Sequence, residues 1–320
     1  MKKNIFIFTS SFLSLPVLEY IIKNKDFVLK GVCFHNDFFK KKNNFKQKIK
    51  NFLGGLKFRL SDNFFYYDPY EHEKKKILKY IQGSKFFFWK DSEKERLEKF
   101  MKVNDLDIII VAGFKFINES FYSLSKEYSI NIHPGILPEN KGSSPVQWTI
   151  YKGESQTGIT IHKLEKKMDS GKIILLKKFK VPKYINFYEL EKKINQKIPS
   201  VLHSLFTKKN NKNILNDPSI KMLSNFNRSK SFLDLSDNFY SLECNLRAMK
   251  PVTGLKYLYN GKLICVWEIQ KIKNKRITNP GIIKSQELNK NLLLTCRDCQ
   301  FEVTKVLSFG SVIPFSNLKL

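Results

Sequence analysis

DIIIVAGFKFINESFYSLSKEYSINIHPG, residues Asp107–Gly135, holds two strands that both stop at turn-forming residues. Asp107 to Val111 is the most apolar strand of the chain and ends at Ala112-Gly113-Phe114. Ser129 to His133 breaks at Pro134-Gly135. A nearly continuous apolar run is the mark of a strand covered on both faces, as in parallel sheets flanked by helices. Ligands of such sheets sit just beyond the carboxyl ends of the strands. Both breaks therefore mark the place where a pocket is expected.

Upstream, Asn4 to Phe8 reads as a first strand, Pro16 to Asn24 as a helix and Phe27 to Cys33 as a second strand. Strand, helix, strand opens a parallel α/β sheet. Glu93 to Lys102 reads as a charged amphipathic helix, Gly158 to His162 as a further strand, and Tyr188 to Lys197 and Val201 to Phe206 as helix. The Asn-, Lys- and Ser-rich stretch from Lys208 to Arg228 reads as a linker. Beyond it come short strands, Leu263 to Ile269, Gly281 to Lys284, Leu292 to Thr295 and Phe301 to Val306, with turns at Gly254, Asn260-Gly261 and Pro280-Gly281. The expected fold is α/β: a Rossmann-like, mostly parallel sheet with helices on both faces, then a small C-terminal β-barrel of OB-like type. The expected division is 1–207 for the catalytic domain, 208–229 for the linker and 230–320 for an acceptor-binding domain.

The chain has 320 residues, 57 Lys+Arg against 29 Asp+Glu, and a formal charge of +28. Such a field attracts polyanions, although lysine is spread along the whole chain. Residues 36–60 concentrate it, with Lys40, Lys41, Lys42 and Arg59 set among Phe38, Phe39, Phe45, Phe52 and Phe58. This insert reads either as a solvated basic face or as an RNA-binding arm. No apolar run reaches the roughly 18–20 residues of a membrane span. Met1-Lys2-Lys3 and the apolar run after it lack a small-residue cleavage site, so the chain is expected in the cytoplasm. The five cysteines, odd in number and scattered, fit a reducing compartment. Cys296 and Cys299 form a single CxxC read as two thiols flanking a hairpin turn, and no metal is expected.

Asn131 and His133 lie two apart on a strand and point to the same face where it ends. Asp169 follows the next strand in the turn Lys167-Met168-Asp169-Ser170-Gly171, placed to fold back beside them. An amide, an imidazole and a carboxylate together suit acyl transfer. The amide donates to a developing oxyanion, the imidazole handles the proton of an attacking amine, and the carboxylate orients the imidazole. His162 reads as a packed or rim residue, with a substrate role as the second reading, and Trp148 as core.

The interval NIHPGILPENKGSSPVQWTIYKGESQTGITIHKLEKKMDSG, Asn131–Gly171, resembles the folate-dependent formyltransferases without a gap. It carries Asn131-x-His133, Ile136-Leu137-Pro138, Gly142-x-x-Pro145, Thr157-Gly158-Ile159-Thr160 and Asp169-x-Gly171. Residues 8–18 resemble the family's first strand, turn and helix. Arg247-Ala248-Met249-Lys250-Pro251, Gly261-Lys262, Val266-Trp267 and Asn279-Pro280-Gly281 resemble the second domain of its tRNA-acting members. Two departures stand out: Gly135 replaces the usual serine of the leucine-proline loop, and the insert at 36–60 replaces a shorter basic loop.

The resemblance implies catalysis by Asn131, His133 and Asp169. It implies a pterin slot lined by Val111, Ala112, Gly113, Phe114, Ile136, Leu137 and Pro138, and 10-formyltetrahydrofolate as co-substrate. The implied reaction is formylation of the amino group of methionyl initiator tRNA, in translation initiation. Lys40, Lys41, Lys42, Arg59 and Arg247 would meet the acceptor, and the protein would be a monomer. Two alternatives remain: formylation of a nucleotide-linked amino sugar by the same chemistry, and a non-catalytic folate- or RNA-binding relative.

Overall fold

The computed structural model describes residues 2–36, 38–39, 71–81, 85–207, 221–226, 230–251, 253–272, 287–288, 291–308 and 311–318. Most of the insert at 36–60 (Lys40, Lys41, Lys42 and Arg59 included), most of the linker at 208–229, and the strand and turn at 280–284 lie outside the described residues.

Seven strands form the first sheet: β1 (Lys3–Thr9), β2 (Phe27–His35), β3 (Lys85–Trp89), β4 (Ile108–Ala112), β5 (Tyr128–His133), β6 (Gln156–Lys163) and β7 (Ile173–Lys180). Their order is β3-β2-β1-β4-β5-β6-β7. The first five are parallel to one another, whereas β6 pairs antiparallel with β5 and with β7. Every residue of β4 is buried, which is why it reads as one unbroken apolar run. The helices α1 (Ser14–Lys23), α2 (Glu71–Tyr80), α3 (Asp91–Val103), α4 (Glu119–Tyr122), α5 (Pro145–Tyr151) and α6 (Phe187–Thr207) cover the sheet. This is the expected Rossmann-like sheet with helices, and the strand order reverses between β1 and β4.

α6 is a single helix through Pro199, where the sequence predicts two. A proline inside a helix costs about 3 kcal/mol. Ile194, Ile198, Val201, Leu202 and Leu205 continue one buried stripe across it. Burying each of these side chains contributes roughly 1.5–3 kcal/mol, enough to offset the break. β7 escapes a sequence reading because it is an edge strand whose Lys177 and Lys178 face solvent.

The second sheet is antiparallel: β8 (Leu255–Tyr259), β9 (Lys262–Lys271), β10 (Glu287–Leu288), β11 (Asn291–Thr295) and β12 (Gln300–Ser308), in the order β10-β11-β12-β9-β8, with β13 (Ser311–Pro314) paired to β12. It forms the small barrel-like unit expected after the linker. Helix α7 (Phe239–Met249) joins the units, its buried face continuous with the core of the first sheet. Gln147 Nε2 of α5 donates to the Ala248 carbonyl at 3.2 Å. Arg247 donates to the carbonyls of Lys183 and Ile185 at 2.9 and 3.2 Å, just before α6. Phe38 and Phe39 of the insert pack on the core, each in ring contact with Phe34.

Candidate active site

The turns after β1, β4 and β5 open on one cavity of about 710 Å³ at the point where the strand order reverses. It crosses the carboxyl edge of the sheet. Trp89, Phe114 and Tyr122 line one end and belong to the core on the α3 face. Phe12, Val146 and Phe187 line the other and belong to the core on the α1 and α6 face. Asn131, His133, Asp169 and His162 also line it.

The sequence brings these four together through register and one turn. Asn131 stands opposite His162 and His133 opposite Thr160 in the β5–β6 pair. Asp169 reaches back from its loop with a left-handed backbone, φ +51°. The return depends on Gly171, where an added Cβ would lie 1.9 Å from the Lys163 carbonyl oxygen. We expect Gly171→Ala to displace the Asp169 loop and to lower activity at least tenfold, with a measurable fall in Tm. A fully active variant of unchanged Tm would contradict this reading of the turn.

Asp169 is the hub. Its Oδ1 accepts from Asn131 Nδ2 at 3.2 Å and lies 3.4 Å from His162 Nε2. Its Oδ2 accepts the Gly142 N–H at 3.0 Å and lies 3.7 Å from His133 Nδ1. Both imidazoles are pinned from behind, His133 Nε2 by the Asn140 carbonyl at 2.8 Å and His162 Nδ1 by the Lys163 carbonyl at 2.8 Å. A carbonyl only accepts, so those ring nitrogens carry hydrogens. This leaves Nδ1 of His133 as the nitrogen able to take a proton, with Asp169 beside it.

Burial alone would raise the Asp169 carboxyl, but the charge of His133, the hydrogen bond and charge of His162, and the Gly142 N–H outweigh it and hold it down at about 2. Burial also lowers His133 from its ordinary value, reinforced by His162, while Asp169 and the Asn140 carbonyl push it back up. The pair at neutral pH is thus a carboxylate beside a neutral imidazole. Following the C2 proton of His133 by NMR, we expect its titration below pH 6.5, and lower still in Asp169→Asn, because the carboxylate stabilises the imidazolium. An upward move in that variant would contradict the assignment.

Asn131, His133 and Asp169 therefore meet as the sequence reading expects, and His162 joins them. A polar residue alternating with Thr160 on an apolar strand was the available signal. Val111, Gly113 and Phe114 line the cavity. Ala112, Ile136, Leu137 and Pro138 are not among the residues lining it. Ala112 is fully buried in the sheet. The Leu137 loop turns back over β6, its N–H donating to Thr160 Oγ1 at 3.2 Å, and Leu137 is buried there. Arg247 is engaged with the backbone before α6 and does not line the cavity. Among the described residues one group has metal-ligand geometry, Cys296, Asp298 and Cys299, far along the chain in the second unit.

Residues 67–205, which hold this whole constellation except its β1 loop, match the formyl transferase family. That stretch is similar to a formyl transferase domain. The chain is 29% identical over 209 residues to the methionyl-tRNA formyltransferase of Orientia tsutsugamushi, covering 61% of this chain and 64% of that one. The enzyme of the same name from Thermotoga neapolitana is 29% identical over 203 residues, covering 60% and 62%. The chain thus spans less than two thirds of the length of these relatives. In fold it is similar to the sugar 3N-formyl transferase WlaRD, solved with dTDP and 5-N-formyl-THF, with a TM-score of 0.59 at 14% identity over 97% of this chain and 99% of that one. A 4-N formyltransferase from Francisella tularensis gives 0.55 at 18% identity, over 82% and 95%.

Proposed function

We propose that the protein transfers the formyl group of 10-formyltetrahydrofolate to the amino group of methionyl initiator tRNA, releasing tetrahydrofolate. The observation that carries the transfer is the convergence of Asn131, His133 and Asp169 in one cavity. A formyl carbonyl placed there would take a hydrogen bond from the Asn131 amide, which would give up its contact with His162 Nε2, as the amine attacks and the oxygen becomes anionic. His133 Nδ1 would accept the proton the amine loses, and Asp169 would hold the resulting imidazolium. The proton then leaves with the folate nitrogen as the carbon–nitrogen bond breaks. The aromatic end of the cavity suits a flat pterin. The net charge of +28 and the names of the curated relatives favour tRNA as the acceptor.

No helix among the described residues is long and apolar enough to cross a membrane. The test offers the protein 10-formyltetrahydrofolate with methionyl initiator tRNA and, in parallel, a nucleotide-linked amino sugar. Formyl-methionyl-tRNA is the expected product. A formylated sugar instead would overturn the acceptor and keep the chemistry, whereas folate binding without either product would reduce the protein to a binding relative.

A further inference from the structure

Glu191 sits in the wrong place for a surface charge. On α6 it lies between Leu190 and Ile194, inside the apolar stripe, and it is 4% exposed. Glu191 is among the residues lining the cavity, and its Oε2 is buried with no hydrogen-bond partner among the described residues. One turn further on, Asn195 Nδ2 donates to the Phe12 carbonyl at 3.0 Å, while its Oδ1 is likewise buried without a partner. α6 thus holds the loop after β1 and carries an unanswered hydrogen-bond acceptor beside the cavity. A buried polar atom left unpaired destabilises a fold, and a ligand donor reaching this end of the cavity would answer it.

We propose that Glu191 binds the amino group of the formyl acceptor at the α6 end of the cavity; the inference rests on the amine-formylating reading above. An ammonium supplies both missing features, N–H donors and a charge opposite to the carboxylate. Burial raises the Glu191 carboxyl well above its usual range. A protonated acid meeting a free amine passes its proton across to form the ion pair, and the proton returns to Glu191 to free the lone pair before the amine attacks, so none need come from solvent. The anionic tail of a folate would bring no hydrogen-bond donor to Glu191, and the aromatic end of the cavity is the better surface for its ring. Glu191 is accordingly a binding residue that selects and places the amine, distinct from the cluster around Asp169.

The test compares binding of methionyl initiator tRNA and N-acetylmethionyl-tRNA to the protein without folate. The wild type is expected to prefer the free amine by roughly 10–100-fold, the range of a charge-assisted hydrogen bond. Glu191→Gln keeps the shape and should erase most of that preference, raising KM for the acceptor while leaving KM for 10-formyltetrahydrofolate unchanged. Glu191→Leu should do the same and raise Tm, since it removes an unpaired buried acid. A preference retained in Glu191→Gln, or a rise confined to the folate KM, would overturn this inference alone. Wild-type protein that transfers no formyl group to an amine would overturn the earlier reading, and this one with it.

Discussion

His133→Ala is expected to lower the turnover number for formyl transfer by a factor on the order of 10²–10⁴, the usual worth of a positioned general base. The imidazole is nearly fully buried and donates from Nε2 to the Asn140 carbonyl, leaving only Nδ1 for the reacting proton. No neighbouring group replaces that nitrogen: His162 is pinned with its own Nε2 against Asn131 at 3.0 Å. Losing the ring leaves Asn131 held as before between His162 and Asp169, so KM for the folate should change little. Steady-state kinetics with circular dichroism on the same sample checks both halves. Unchanged turnover in a folded variant would remove His133 from the mechanism.

The second large effect is expected from Asp169→Asn, again on the order of 10²–10⁴ in turnover. The reason differs from that at His133. Both carboxylate oxygens accept hydrogen bonds, one from Asn131 and one from the Gly142 N–H. An amide nitrogen at either position would face a donor, so the substitution removes the charge beside His133 and disturbs the Asn131 amide together. Because the groups act as a unit, the double variant with His133→Ala should cost little more than either single one. Additive losses would mean that Asp169 acts independently of His133.

Why these residues were readable and others were not follows from distance along the chain. Asn131 and His133 share one strand face by the two-residue period, and Asp169 sits one hairpin away, so local rules reach all three. The apolar runs of β1, β4 and β5 are legible because both of their faces are covered. β3 and β7 are short or lysine-bearing edge strands, and α2 follows the long insert, so periodicity alone did not isolate them. The Leu137 loop was assigned to the pterin slot by resemblance, whereas its path over β6 depends on Thr160, a contact made 23 residues away. Arg247 carried a basic signal, but three-dimensional packing of α7 turns it to the backbone before α6. Glu191 was invisible for a related reason: a glutamate among lysines reads as solvated until the helix is laid on the sheet. Its position within the apolar stripe of α6 was the one local sign.

The most direct measurement is a single-turnover experiment with the formyl carbon of 10-formyltetrahydrofolate labelled and methionyl initiator tRNA in excess, run on wild type and His133→Ala side by side. The account predicts label in formyl-methionyl-tRNA with the wild type, appearing at least a hundredfold more slowly with the variant. Label that remains on folate, or that reaches the amine equally fast in both proteins, would contradict it.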